Sequence, residues 1–254
     1  AQELARRTRD DGLSPLIAWR VTEPRAISYT RSSGTGDDTR TLRVLETKTT
    51  YDTVYGLPTL VEFAGDTGKT GDETCTKLEY LHREDKNLIG LSKQVLVLPT
   101  ACGTSPDFSD LAKLSSAART AYDGAGYGVA LTATTRGLAS QTFSLKADST
   151  GFQSDGTTGF DAMGRVTSTT DVDGKTSSIT YEPSAGQAFK ITEKNSLGHT
   201  QIKELEPGRG VTVRVTDANK LVSVSSYDAL GRLVTGWAPG RTPNATTLPD
   251  FQAT

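Results

Sequence analysis

Four aspartates that could serve acid–base chemistry recur in the same local setting along this 254-residue chain. Each one directly follows an aromatic residue, in the pairs Tyr51-Asp52, Tyr122-Asp123, Phe160-Asp161 and Tyr227-Asp228. An aspartate that opens a turn accepts hydrogen bonds from backbone N–H groups two or three residues further on. Because turn closure accounts for all four carboxylates, we expect none of them to be catalytic.

The two histidines, His82 and His199, are the next candidates for catalysis, and they lie 117 positions apart. A serine or cysteine hydrolase needs a base that is held by an orienting carboxylate. No Gly-x-Ser-x-Gly sequence accompanies either histidine. We therefore expect solvated strand or loop histidines, and a hydrolase is the third and least favoured function for this chain.

Two short glycine-lysine-threonine strings, at 68–70 and 174–176, resemble the end of a phosphate-binding loop. Both lack the first glycine of that motif, and neither precedes a helical pattern. The glycines of Gly124–Gly128 have the wrong spacing for a dinucleotide-binding loop. All three segments are therefore expected to be turns, and no cofactor is expected.

Asp171, Asp173 and Glu182 have the spacing of three ligands in a calcium-binding loop. Lys175 and Thr176 stand where an acidic residue and the required glycine should be. The sequence therefore predicts no metal site here.

The two cysteines, Cys75 and Cys102, lie 27 positions apart and form no Cys-x-x-Cys pattern. We expect one disulfide, worth about 3–4 kcal/mol through the restriction of the unfolded chain. The alternative is a pair of free buried thiols in a reducing compartment.

Composition excludes several classes of partner. Hydrophobic residues make up only 35% of the chain, and the net charge is −2. A nucleic-acid-binding face would be basic, and the apolar runs are too short for a membrane-spanning helix. The first seven residues do not resemble a signal peptide. We expect neither nucleic-acid binding nor membrane insertion, and we interpret the chain as a fragment of a longer protein.

The elements that position the aspartates are strands joined by tight turns, as residues 221–233 illustrate. Leu221–Ser226 is a strand pattern that ends at Tyr227. Asp228 opens a turn, Gly231 supplies the positive φ that closes it, and Leu233 begins the returning strand. By contrast, Ser32–Asp38 is expected to be a flexible loop, and Asn244–Thr246 matches a glycosylation sequence.

Motif positions 160, 181, 205 and 227 recur at spacings of 21, 24 and 22 residues. A period of this length holds about two strands, whereas a propeller blade needs about 40–45 residues. The sequence therefore predicts an all-β protein of consecutive antiparallel β-hairpins. We divide it into a degenerate half with long loops, residues 1–121, and a regular half, residues 122–254.

One segment, Asp110–Arg119, has a composition that favours a helix. We predict a short helix there, and an extended lead-in to Tyr122 is the alternative.

Taken together, these motifs resemble the YD-repeat or RHS-repeat family, and the tail at Trp237–Arg241 is similar in style to actinobacterial members. The resemblance is strong over 155–240 and moderate over 40–155. It rests on the repeat residues Tyr51, Asp52, Gly56, Tyr122, Asp123, Phe160, Asp161, Gly164, Arg165, Tyr227, Asp228, Gly231 and Arg232.

The resemblance implies a curved, coiling sheet that forms part of a hollow shell, similar to teneurins and insecticidal toxin-complex shells. Such a shell encloses or presents a toxin or effector domain and is secreted or lies at the cell surface. The implied partner is the rest of the same polypeptide or its effector. Some relatives release the effector at a DPxG motif, which is missing here, since Glu206-Pro207-Gly208 lacks the aspartate and the spacing.

Two further expectations concern binding. The motif aromatics could form a stripe that stacks on cell-surface glycan, or the loops 65–74 and 99–110 could recognise a partner protein. Burial of the rings between neighbouring hairpins would instead favour a purely structural role in the wall of the shell. An open run of hairpins also has exposed edge strands, so self-association is expected.

Overall fold

The computed structural model describes residues 3–8, 17–31, 42–241, 243 and 248–253. The expected loop at 32–38 and the glycosylation sequence at 244–246 lie outside these residues. Among the described residues the chain forms eighteen β-strands and two 3-10 helices. The strands are β1 (Glu3–Thr8), β2 (Ile17–Thr22), β3 (Arg25–Arg31), β4 (Leu42–Tyr51), β5 (Pro58–Asp66), β6 (Thr74–Arg83), β7 (Leu88–Leu98), β8 (Ser116–Tyr122), β9 (Ala139–Leu145), β10 (Phe152–Phe160), β11 (Val166–Asp171), β12 (Thr176–Glu182), β13 (Lys190–Lys194), β14 (Thr200–Leu205), β15 (Thr212–Thr216), β16 (Val222–Tyr227), β17 (Leu233–Trp237) and β18 (Phe251–Gln252).

Strand order follows chain order. Among the described strands, β1 pairs only with β2, and from β3 onwards each strand lies beside the next one in the sequence. Every pair with a defined register is antiparallel. The predicted all-β class and the run of antiparallel hairpins are therefore confirmed.

The chain divides into two compact units, residues 1–155 and 156–254, and β10 begins in the first and ends in the second. This boundary follows tertiary contacts. The division at 121/122 follows the regularity of the repeats, which is a different property, and it stays a prediction.

The first unit contains the hydrophobic core. Its buried members come from β6, β7 and β8 and from the segment that joins β7 to β8. They are Cys75, Leu96, Leu98, Cys102, Leu114 and Ala117. The register places Leu60, Lys77, Leu96 and Ala117 side by side across four strands, so these side chains share one face of the sheet.

Residues 99–115 cover this face of the first unit. Phe108 and Leu111 pack against the core cluster, and a disulfide joins Cys75 on β6 to Cys102. The Cys102 N–H also donates to Glu62 Oε2 at 3.0 Å. The covering segment is therefore attached to the sheet by a covalent bond, a hydrogen bond and apolar contacts.

The second unit has a different construction, because none of its described residues is fully buried. Its strands are rich in threonine and serine, and hydroxyl-bearing residues face one another across β10, β11 and β12. These pairs are Thr157↔Thr170, Thr158↔Thr169, Thr169↔Ser177 and Ser168↔Ser178. Backbone ladders and cross-strand pairs stabilise such a sheet in place of a core.

The short helix predicted over 110–119 is wrong. One 3-10 turn occupies Leu111–Lys113, and Asp110 caps it by accepting the Ala112 N–H at 3.0 Å. The chain then becomes the strand β8, which pairs with β7 and β9. Ladder bonds on both sides outweigh the weak helical propensity of these residues. No helix among the described residues is long and apolar enough to cross a membrane.

Candidate functional site: the repeat turns

The aspartates of the two best motif copies close their turns with the same set of hydrogen bonds. Asp228 Oδ1 accepts the N–H groups of Leu230 and Arg232, both at 2.9 Å. The Arg232 Nε donates to Asp228 Oδ2 at 2.7 Å. The Asp228 N–H donates to the Arg232 carbonyl at 2.9 Å. One carboxylate thus holds both the backbone and the arginine of its own turn.

Asp161 repeats this geometry. Its Oδ1 accepts from Met163 and Arg165, both at 2.9 Å, and its Oδ2 accepts the Arg165 Nε at 2.7 Å. Gly164 and Gly231 take φ values of +82° and +78°. Only glycine adopts this region without steric cost, which explains why it is the fifth residue of the motif.

Asp52 closes a slightly longer turn in the first unit. Its carboxylate accepts the N–H groups of Val54, Tyr55 and Leu57. Gly56 has φ +71°. A Cβ at Gly56 would lie 2.2 Å from Arg20 Cδ, so glycine also makes room for that arginine.

Asp123 closes a turn that carries a long insertion. Its carboxylate accepts from the N–H groups of Arg136, Gly137 and Leu138, and its own N–H donates to the Leu138 carbonyl. The glycine that corresponds to Gly231 is therefore Gly137, at φ +76°, and the glycines at 124–128 lie within the insertion. Sequence reasoning missed Gly137 because it searched for a glycine close to the aspartate.

Three further turns, at the opposite ends of the second unit's hairpins, use the same chemistry without a preceding aromatic residue. Their first residues are Asp171, Asn195 and Asp217, and each accepts N–H groups from residues two and four positions later. The fourth position has positive φ in all three, with Gly174, Gly198 and Lys220. An Asp or Asn three positions before a glycine was the sequence signal for two of them.

The hydroxyl groups of the motif tyrosines form hydrogen bonds to the adjacent strand. Tyr227 Oη donates to the Thr212 carbonyl at 3.0 Å, and Tyr181 Oη to the Val166 carbonyl at 2.9 Å. Thr212 and Val166 are each the first residue of the adjacent strand. In the first unit, Tyr122 Oη donates to the Ser92 carbonyl at 2.8 Å. Four of the five motif rings, including Phe160, are half-buried, and Tyr122 is 9% exposed.

Arginines link successive turns in the second unit. Arg165 donates through Nη1 to the Gly186 carbonyl at 3.1 Å and through Nη2 to the Ser184 carbonyl. Its guanidinium also lies 4.3 Å from the centre of the Tyr181 ring. Arg209 donates in the same way to the Asp228 carbonyl. Motif arginines therefore act between turns as well as within them.

Hydrogen bonds lower the pKa of the Asp228 and Asp161 carboxylates. The backbone N–H and then the guanidinium of Arg232 hold the pKa of Asp228 below its ordinary value. For Asp161, burial is the largest single influence and raises the pKa, but the hydrogen bonds from Arg165 and Met163 together outweigh it. Both side chains are therefore anionic acceptors at neutral pH.

The remaining candidates for chemistry lie apart. His82 stacks on Tyr55 with ring centres 4.1 Å apart, and its Nδ1 accepts the Gly90 N–H. His199 is exposed in the turn that Asn195 closes. Glu182 lies at the far end of β12 from Asp171 and pairs with Lys190 at 2.8 Å. Among the described residues, no group of three His, Cys, Asp or Glu side chains is arranged to hold a metal ion.

Crystal structures of known proteins share this fold. TcdB2-TccC3-Cdc42 matches 93% of this chain and 15% of that chain, with a TM-score of 0.60 and 12% identity. TcdB2-TccC3 gives 0.60 and 13% over the same shares. TcdB2-TccC3 without its hypervariable C-terminal region gives 0.59 and 12%, over 92% and 15%. No family model and no curated protein matches the chain.

Identities of 12–13% show the fold alone, and the chain spans about 15% of the length of these structures. The likeness agrees with the shell fold that the RHS/YD resemblance implies. Family membership and the actinobacterial style stay predictions. The chain therefore has the fold of a segment of TcdB2-TccC3.

Proposed function

We propose that this chain is a non-enzymatic wall segment of a secreted RHS/YD-repeat shell, which encloses or presents a toxin or effector domain. The observation that carries the proposal is the use of the motif side chains. Asp228 and Asp161 close turns, Tyr227 and Tyr181 bind the backbone of a neighbouring strand, and Arg165 binds the next turn. Every one of these contacts extends and stiffens an array of hairpins.

The construction of the second unit supports the same role. A sheet without a buried core offers a thin wall with two accessible faces, and its stability depends on neighbour contacts, as in other repeat proteins. The fold shared with TcdB2-TccC3 over more than nine-tenths of this chain also supports a wall. In this role the protein acts by containment or presentation and needs no turnover.

The alternative of glycan binding gains no support from the motif rings. A ring that stacks on sugar must present a free face, and these rings are half-buried or buried. Their hydroxyls donate to backbone carbonyls of adjacent strands. The hydrolase alternative gains no support either, since His82 contacts the Tyr55 ring and the Gly90 N–H, while His199 contacts Asn195 of its own turn.

The direct test is electron cryo-microscopy of the longest polypeptide translated from the gene that encodes this chain. We expect residues 42–237 to lie in the wall around an enclosed volume, with one sheet face towards the lumen. Strands that border no enclosed volume, or hairpins that close into a compact propeller, would overturn the proposal.

A further inference from the structure

The last motif turn of the second unit, residues 228–232, has the same internal geometry as the turn at 161–165 but a different environment. Arg165 has 21% of its side chain exposed, whereas Arg232 has 75% exposed. Both arginines hold the aspartate of their own turn through Nε at 2.7 Å. The difference therefore lies in what their outer nitrogens contact.

The outer nitrogens of Arg165 hold the following turn. Nη1 and Nη2 donate to the carbonyls of Gly186 and Ser184, and the Gly186 N–H points back to Met163 Sδ at 3.1 Å. The ring of Tyr181, which precedes that turn, lies under the guanidinium. The following turn therefore contacts Arg165 and Met163 through two of its backbone carbonyls, one N–H group and the aromatic ring that precedes it.

The corresponding groups at 228–232 have no such neighbour among the described residues. Arg232 makes no hydrogen bond through Nη1 or Nη2 within that part of the chain, and Leu230, in the position of Met163, is 78% exposed. An exposed arginine that Asp228 holds through Nε, with two outer nitrogens that make no hydrogen bond among the described residues, is available as a binding group.

We propose that Arg232 and Leu230 form a docking site for the turn of a further β-hairpin of the same polypeptide, downstream of β18. The row of turn-to-turn contacts through Arg165 and Arg209 continues to this point, so the site extends an interface already present within the unit. The incoming turn supplies two backbone carbonyls to Arg232, and an aromatic residue before that turn stacks on the guanidinium.

The direction of β18 identifies the source of this hairpin. Its register, Gly236↔Phe251 and Thr235↔Gln252, runs towards Leu233 and the turn at 228–232. In the earlier repeat, β12 runs in the same way towards Val166 and the turn at 161–165, as the pair Ser168↔Ser178 shows. A chain that continued along β18 would therefore bring its next turn onto Arg232.

The inference concerns an interface and does not depend on whether the array encloses a cargo. It is tested by extending the full chain after Thr254 with the sequence of residues 181–194, which carries the turn that Arg165 holds. Amide hydrogen exchange should show protection in the added hairpin. Arg232→Ala should remove that protection and lower the urea midpoint of the extended chain by more than it lowers that of the 254-residue chain, where it removes only the contact with Asp228.

Two controls make the result interpretable. Arg165→Ala removes a turn contact present in both chains and should lower both midpoints. Arg214→Ala, on β15 and 47% exposed, should act equally and weakly in both chains. An added hairpin that gains no protection in the parent, or an Arg232→Ala effect of equal size in both chains, would overturn the docking site. Neither outcome would bear on the enclosure of a cargo.

Discussion

At the scale of single residues, aspartate closes each motif turn by accepting hydrogen bonds, and glycine allows the positive φ that the turn requires. Gly231 has φ +78°, and a Cβ there would meet only Arg209 Cδ at 3.8 Å. Space is therefore available, and the backbone conformation alone selects glycine. Lys220 shows that a side chain is tolerated in this position, at φ +64°, although residues with a Cβ pay about 1–2 kcal/mol there.

We therefore expect Gly231→Ala to lower the free energy of unfolding of the second unit by about 1–2 kcal/mol. Gly151→Ala is the matched control, because Gly151 lacks a positive φ and a Cβ there meets nothing within 4 Å. The control should be neutral or slightly stabilising. Urea denaturation followed by circular dichroism measures both, and equal effects would contradict a conformational role for Gly231.

The aspartates predict a pH dependence. Because hydrogen bonds lower the pKa of Asp228 and Asp161 in the folded chain, the stability they contribute is complete above the unfolded value, near 4. It is lost as the pH falls below about 4 towards the folded pKa. The urea midpoint should therefore drop steeply in this range.

Replacing these two aspartates by asparagine removes the negative charge but keeps the side-chain oxygen that closes the turn. Asn195 already closes a turn of the same shape through its Oδ1, so Asp161→Asn and Asp228→Asn should keep the fold. The double variant should lose the arginine ion pairs and show a shallower fall of the urea midpoint between pH 5 and 3. A slope identical to that of the parent would show that these carboxylates do not set the acid limit.

At the scale of elements, the segment 99–115 depends on the disulfide more than on its own secondary structure. It contains one 3-10 turn, and Phe108 and Leu111 hold it to the core together with the Cys75–Cys102 bond. We expect a reductant to lower the stability of the first unit by about 3–4 kcal/mol. Amide exchange in 99–115 should rise more than in β11–β17.

The control for this experiment is the variant Cys75→Ala/Cys102→Ala. It should resemble the reduced parent and show no further response to the reductant. If reduction leaves the exchange of residues 99–115 unchanged, apolar packing alone secures the segment.

At the scale of the whole molecule, the two units should differ in local stability. Buried apolar residues lie in the first unit, around Leu96, Leu98 and Leu114, and none of the described residues of the second unit is fully buried. Regions with few buried apolar contacts open at lower free energy. Native-state hydrogen exchange should therefore find the most protected amides in β6–β8 and faster exchange throughout β11–β17. Uniform protection would contradict this division.

The edge strand β3 predicts self-association of the isolated chain. All seven of its residues are exposed, and among the described residues it pairs only with β4. Its residues 26–30 carry no charge, and an uncharged stretch on an edge strand invites pairing with another chain. We expect size-exclusion chromatography with light scattering to detect oligomers that Ile27→Lys reduces.

Ile89→Lys is the matched control for the edge, because Ile89 is equally exposed, at 38% against 39% for Ile27, but lies on the interior strand β7. A parent that stays monomeric at high concentration, or two lysine variants with the same effect, would exclude pairing through β3.

The sequence by itself determined the hairpins and the turn chemistry of this protein. An aromatic residue, an aspartate and a glycine at fixed spacing specify a local structure through short-range hydrogen bonds and φ preferences, so Tyr227, Asp228 and Gly231 could be interpreted without a fold. The two-strand period likewise follows from spacing alone. Only the tertiary structure decided that residues 116–119 are extended, that Gly137 closes the turn of Asp123, and that Arg165 holds the next turn. It also decided that Arg232 holds no further turn among the described residues. Those outcomes depend on contacts between residues distant in the sequence, which local propensity does not encode.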